Sequence, residues 1–446
     1  MKYILFALVL GAVVPAALLM VYSRKLLWLT AFLMQSVALL YNQTAINFLS
    51  HETYRGTARG MEISASYLCA LTLLLAILLR RGRIRLAPYA GCWLYGAYFL
   101  ACVVSVMNSE SGLLSFFELW KMTMLYLVLL AAWNYLEVTG DIDVFLYGMA
   151  AVVLGNFPVV IWGYFHQVYQ ARGVFPHQNS MGMYMVLAGN LFLARFFSGR
   201  NLWQCILFAL AFAVASVSVV LCYSRGSLFC YPVGCGITIA VSLLYEFKQG
   251  KLVAALAALV LAVLVSVLFI PRVIERFEKA PEVSGQTRVQ FAQCALRMMN
   301  DKALGVGVNN WGIKINPPYP YGRPRDGSIP GLNDEAKDGI VETVYLLVGA
   351  ECGYGGLLLL LIWFLYHWTV AVRLLRKLAH SPTFYFAAGA VGGLSANYFQ
   401  SALEWVLKQQ INYMQLILIF TVIGYLNFAW KQKRMETLMQ MRKETA

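Results

Sequence analysis

The chain has 446 residues, 60% of them hydrophobic and 13% charged, with a net charge of +14. Soluble globular proteins carry roughly 25% charged residues, so this composition excludes a chain that meets water on every side. The positive charge does not point to nucleic acid either. Lys and Arg collect in short loops and in the C-terminal tail, with no clustered basic face set among aromatic platforms.

Apolar runs near the roughly 20 residues that cross a hydrocarbon core recur along the whole chain. They predict spans at about 3–22, 26–47, 62–80, 87–107, 113–136, 143–168, 180–198, 201–223, 227–246, 251–271, 341–372, 383–403 and 411–430. The expected class is an all-α polytopic membrane protein with 12–13 transmembrane helices and one large extracytoplasmic loop. Leu252 to Ile270 is almost pure Ala, Leu and Val, and such runs are too many for one signal peptide. The chain divides into spans over 1–271, a hydrophilic loop over 272–340, further spans over 341–430 and a basic cytoplasmic tail over 431–446.

Basic residues set the orientation. With Arg80, Arg81, Arg83 and Arg85 placed in the cytoplasm, alternation also puts Arg24, Lys25, Arg195, Lys248, Arg373, Arg376 and Lys377 inside, together with the tail. One expected inside loop disagrees: Glu137 to Asp143 is acidic and carries no Lys or Arg. The 48–61 loop, the turns at Arg172 and Arg225, and the 272–340 segment then fall outside. A polar loop of that length between tightly connected spans is usually functional. Within it, Val273 to Lys279 reads as a charged amphipathic stretch and Thr287 to Met299 as a helix with one apolar face. Asn316 to Pro330 reads as a turn-dominated coil. Of nine cysteines, only Cys294 lies in this loop, which leaves it no partner for an internal disulfide; the rest read as small apolar side chains.

Four places can carry chemistry. In Arg172-Gly-Val-Phe-Pro-His-Gln-Asn179 a guanidinium beside a polar His177–Asn179 pair could hold an anionic head group, or could merely snorkel toward water. In Tyr223-Ser-Arg225-Gly-Ser227 an arginine at the membrane edge has no acidic neighbour in sequence, which makes it either a functional group or a loop end. Arg288 leads into the loop helix and could close over a substrate, or could be a solvated side chain. Glu342 enters a span from the outside, where partial burial could raise its pKa toward that of a useful base; the plainer reading pairs it with a nearby arginine. Glu404 and Lys408 read as a solvated pair. No P-loop, serine-hydrolase elbow, zinc spacing or carboxylate cluster suggestive of a metal is present.

The order of these motifs resembles that of the O-antigen ligase and polymerase superfamily of bacterial polytopic membrane glycosyltransferases. Arg172…Phe175-Pro-His-Gln-Asn179 is followed by Ser224-Arg225-Gly226, then Arg288, then Leu304-Gly-Val-Gly-Val-Asn309, then Tyr345-Leu346…Glu351-Cys-Gly353. The resemblance implies transfer of glycans from a polyprenyl-pyrophosphate carrier to an acceptor hydroxyl at the periplasmic face of the inner membrane, without metal or other cofactor. It implies that Arg225 and Arg288 neutralise the departing pyrophosphate; Glu342, at the place of the family's histidine, is the expected base, and Arg172, His177, Asn179 and Tyr345 are expected to contribute to substrate binding. Ligases usually carry a His-Asn-x-Tyr-Leu pattern, whereas Glu342-Thr343 stands here and no histidine occurs between 178 and 366. That departure tilts the expectation toward polymerising carrier-linked repeat units of an O-antigen or exopolysaccharide, with ligation onto lipid A–core or another acceptor as the alternative. A transporter or flippase of carrier-linked glycans is the reading from another class, and no internal repeat supports it. The partners implied are the carrier-linked glycan, an acceptor glycan or lipid, membrane lipids and, for a polymerase, a chain-length regulator; no nucleic acid is among them.

Overall fold

A computed structural model describes residues 2–168, 170–199, 201–253, 255–256, 282–322 and 339–444. The helices are α1 (Lys2–Tyr22), α2 (Arg24–Ser36), α3 (Ala65–Arg81), α4 (Ala90–Ser105), α5 (Gly112–Thr139), α6 (Asp143–Phe165), α7 (Gln178–Phe197), α8 (Leu202–Leu221), α9 (Arg225–Tyr245), α10 (Glu282–Asp301), α11 (Val344–Lys377), α12 (Phe384–Ser401) and α13 (Gln410–Glu444). Among the described residues, eight are long and apolar enough to cross a membrane. Helices α1, α2, α3 and α12 occupy expected spans but are shorter or less apolar. The protein is thus an all-α, multi-pass membrane protein. The expected 251–271 span lies largely outside the described residues, and the Val273–Lys279 stretch and 323–338 lie wholly outside them.

Helix ends follow local chemistry. Ser111, Asn201 and Ser224 cap α5, α8 and α9 through side-chain oxygens that accept from backbone N–H groups three residues on. Gly82 and Gly140 close α3 and α5 with φ near 70°, where a side chain would be strained. The expected 26–47 span is broken: α2 stops at Ser36, the short helical turns Val37–Leu40 and Tyr41–Thr44 follow, and Ile46–Ser50 forms a strand (β1) paired antiparallel with Gly60–Ile63 (β2). The outer loop expected at 48–61 is therefore part of a small hairpin whose turn runs over 51–59.

Helix α7 lies at the centre, almost wholly buried, packed on α8, α9 and α12. Polar side chains join these helices where lipid offers no competing partner: Gln35 donates to the Tyr184 hydroxyl (2.7 Å) and Thr238 to Asn190 (2.7 Å).

At one end of the bundle the acidic loop that disagreed with the charge rule finds its explanation. Glu137 pairs with Arg85 (2.9 Å) and Arg81 (4.0 Å), and Asp143 pairs with Arg195 (3.0 Å). Two of its three carboxylates are neutralised by arginines from neighbouring elements expected on the same side, and the third, Asp141, accepts from the Trp28 indole N–H (3.0 Å), so the exception is local compensation.

At the other end, α11 breaks at Gly353, whose φ of 69° and ψ of −178° are not helical. The break frees carbonyls that the glycine-rich loop satisfies: Val306 N–H donates to Ala350 O (2.9 Å) and Gly307 N–H to Glu351 O (3.0 Å). The approach leaves no room for side chains. A Cβ on Gly305 would lie 2.3 Å from Glu351 O, and one on Gly353 would lie 2.0 Å from Ala303 O. The two glycine motifs are halves of one backbone contact, and loop helix α10 packs on α11 beside it.

Candidate functional site

Glu342 precedes α11 and is half-buried, beside Arg288 of α10. Arg288 Nη2 donates to Glu342 Oε2 at 3.1 Å, and each side chain remains more than a third exposed. Burial raises the Glu342 pKa above the usual carboxylate range, while Arg288 and, more weakly, Arg225 pull it back down. Three of the residues expected to act together thus share one electrostatic neighbourhood.

Arg225 opens α9, and its turn is fixed by Glu404. The Ser224 hydroxyl donates to Glu404 Oε1 (2.7 Å) while accepting from Ser227 N–H. A Cβ on Gly226 would stand 2.7 Å from the same carboxylate oxygen. The Ser-Arg-Gly sequence therefore has a local logic: serine caps and clasps, glycine admits the carboxylate, and arginine is carried between them. Glu404 also accepts from Gln400 Nε2 (2.9 Å). Burial, helped by the nearby Glu342 charge, lifts its pKa to about 7 against the pull of those two hydrogen bonds and of the Arg288 charge.

The expectation of a solvated Glu404–Lys408 pair is corrected by the structure. Both residues are buried, and they serve different partners. Lys408 lies between Glu118 (3.3 Å) and Glu351 (3.7 Å), and Glu118 also binds Lys121 (2.6 Å) and the Thr57 hydroxyl (2.7 Å). Lys121 in turn donates to the carbonyls of Thr57 and Lys408, both at 3.0 Å. This quartet of two carboxylates and two ammonium groups is buried because each charge has an opposite at contact distance. It ties α5, α11 and the 406–408 turn to the hairpin.

A cavity of about 700 Å³ joins the two sides of the site. Glu342, Gly339 and Phe291 form one wall, Pro176 and His177 another, and Arg55, Arg59 and Lys121 a third. Arg172 donates to the Pro176 carbonyl (3.1 Å), which holds the turn in which His177 caps α7. His177 Nδ1 accepts from Asn179 N–H (3.2 Å). Burial and the Arg172 charge lower the pKa of this imidazole, so it faces the cavity neutral.

The structure thus brings Glu342 and His177 to one cavity, with Arg288 bonded to Glu342 and Arg225 close behind. Arg172 acts on the rim through backbone, and Asn179 through its own backbone N–H. Tyr345 is turned elsewhere: its hydroxyl donates to Tyr398 O (2.8 Å), joining α11 to α12, and it does not line the cavity. Among the described residues, no three His, Cys, Asp or Glu side chains gather where they could hold a metal ion.

Sequence reasoning missed Glu118, Lys121, Glu404 in its true role, and the hairpin arginines. For Glu118 and Lys121 the signal was present: two opposite charges three apart inside an apolar span. For Glu404 it was a lone carboxylate between Leu403 and Trp405.

Residues 208–361 match the family model described as O-antigen ligase, a stretch that holds Arg225, Arg288, the glycine loop and Glu342. The match supports the O-antigen ligase and polymerase superfamily, as the order of the motifs implied. None of the curated proteins matches the chain.

Proposed function

We propose, with the O-antigen ligase match as premise, that this membrane protein transfers a glycan from a polyprenyl-pyrophosphate carrier to an acceptor hydroxyl at the periplasmic face of the inner membrane. The observation that carries the proposal is the 3.1 Å contact between Arg288 and Glu342 at the cavity wall, with the Arg225 charge in reach. A base and two phosphate-binding cations are what such a transfer needs in one place. The acceptor oxygen attacks the anomeric carbon, and its proton passes to Glu342. The bond from that carbon to the phosphate oxygen breaks, and its electron pair leaves on the pyrophosphate. A single displacement of this kind inverts the anomeric centre. Charge that grows on the leaving group meets the planar donor forks of Arg225 and Arg288, which lowers the barrier directly.

The resting contact fits this sequence. A half-exposed ion pair is worth only about 0–1 kcal/mol, so a pyrophosphate with several charges can draw Arg288 away from Glu342. Losing that cation makes Glu342 more basic, which couples arrival of the donor to activation of the base. Metal chemistry has no part in this reading.

Polymerisation of carrier-linked repeat units is the form we favour, because Glu342-Thr343 stands where ligases usually carry His-Asn. The description of the matched family favours ligation as the second form. Purified protein incubated with a polyprenyl-pyrophosphate-linked oligosaccharide distinguishes them. A polymerase yields a ladder of products, and a ligase extends only an added lipid acceptor. Absence of any new glycosidic bond with either acceptor would overturn the proposal and leave the transporter reading.

A further inference from the structure

The cavity beside Glu342 has a second side that the transfer chemistry does not use. Arg55 and Arg59 both lie in the turn of the β1–β2 hairpin, on either side of Gly56-Thr57-Ala58. That tripeptide is held by Asn309: its Oδ1 accepts from Thr57 N–H (3.0 Å), and its Nδ2 donates to Ala58 O (2.8 Å). The Tyr54 hydroxyl donates to the Asn309 carbonyl (2.6 Å), and a Cβ on Gly56 would lie 2.1 Å from the Tyr54 ring. The two arginines therefore extend from a backbone fixed to the glycine loop, while their own side chains are exposed. Among the described residues, neither guanidinium has a hydrogen-bond or ion-pair partner.

Their charge is not consumed elsewhere in the wall. Lys121 is bound by Glu118, and Glu342 by Arg288. That leaves Arg55 and Arg59 opposite one further lining carboxylate, Glu62. The same cavity presents two half-buried indoles, Trp120 and Trp405, and Trp120 is oriented by its Nε1–H bond to Glu62 O (2.9 Å). Gln409 also lines it, and Gln409 Oε1 is buried without a hydrogen-bond partner. Flat aromatic faces suit the apolar faces of sugar rings, an unpartnered amide oxygen suits a hydroxyl, and free guanidinium groups suit an anion. A cavity of this size lies within the range of about 300–1,000 Å³ typical of sites that enclose a small ligand.

We infer that the hairpin side of the cavity, with Arg55, Arg59, Trp120, Trp405 and Gln409, is an acceptor subsite for a saccharide bearing an anionic group, a carboxylate or a phosphate. The assignment to the acceptor rests on the transfer reading, since Glu342 must face the acceptor hydroxyl. The saccharide site itself is tested by binding alone.

The full-length protein in nanodiscs is titrated with trigalacturonic acid, with its carboxyl-reduced neutral trisaccharide, and with that neutral trisaccharide carrying a phosphate. At least one anionic probe binds wild type about tenfold or more tighter than the neutral one, and the two anionic arms report whether carboxylate or phosphate is preferred. Arg55→Gln/Arg59→Gln loses the discrimination while Tm stays unchanged, and Arg55→Lys/Arg59→Lys keeps most of it. Equal binding of neutral and anionic probes, or discrimination that survives the glutamine pair, overturns the inference. So does displacement of the acidic probe by phosphatidylglycerol in the disc, which would make the site a lipid-headgroup site. Anionic binding without transfer would sink the transfer reading and leave the site; transfer without anionic preference would do the reverse.

Discussion

Glu118 and Glu342 each sit among cations at the same end of the bundle, yet one is fully buried and the other more than a third exposed. Around Glu118 the partners Lys121, Lys408 and Thr57 are in contact, and the two lysines reach on to backbone carbonyls and Glu351. Around Glu342 one arginine is in contact and a second acts at longer range. A closed network of this kind resists rearrangement, because removing any member strands a buried charge. An open pair costs little to break and can change partners during a reaction. The comparison separates a centre that holds neighbouring elements together from the one proposed to exchange protons and phosphates.

The largest expected effect is on the closed centre. Glu118→Ala leaves Lys121 and Lys408 facing each other without their shared carboxylate, and should destabilise the protein by about 3–5 kcal/mol, read as a lowered Tm in detergent. A Tm within a degree or two of wild type would show that the quartet does not clamp these elements together. Next comes Arg225, whose alanine variant should lose about 10²–10³ in transfer rate, as when one preorganised donor is removed from a site of developing charge. Arg225→Lys retains charge but not the planar fork and should recover only part. If alanine at both Arg225 and Arg288 left transfer near wild type, the phosphate assignment would be wrong.

A smaller effect concerns pH. In the proposed transfer Glu342 must be deprotonated, so kcat/KM should fall as pH drops through its pKa in the free enzyme. Burial raises that pKa and Arg288 lowers it. Arg288→Gln removes the lowering influence, so the acid limb of the profile should shift to higher pH, on top of any loss in rate. A limb that stayed in place or moved to lower pH would mean that another group titrates.

How much of this was readable in the amino-acid sequence depends on the distance over which each feature is encoded. The membrane class followed from apolar runs, while Lys and Arg supplied only the expected orientation of the loops. Even the acidic exception at 137–143 was local, though its cause was not, since Arg81, Arg85 and Arg195 come from other elements. The motifs around Arg225, Arg288 and Glu342 were legible through their order. Their physical sense was not: Ser224 and Gly226 are shaped around Glu404, 180 positions from Ser224. Gly305 and Gly353 are likewise explained only by each other. Lys408 read as solvated because its partners Glu118 and Glu351 lie far off in sequence. Tyr345, which marked the register of the motif, proved to be a contact between helices.

The measurement closest to the central claim is the Glu342→Gln variant, assayed for transfer, donor binding and Tm in one preparation. General-base catalysis is typically worth about 10²–10⁴ in rate, so transfer should fall by that factor. Tm should hold within the change expected from an open pair, and donor binding should be retained because Arg288 is released. Glu342→His should restore part of the rate, since imidazole can take the same proton. A Glu342→Gln protein that transferred glycan at the full rate would contradict the account, as would one whose loss of transfer was matched by loss of Tm and donor binding.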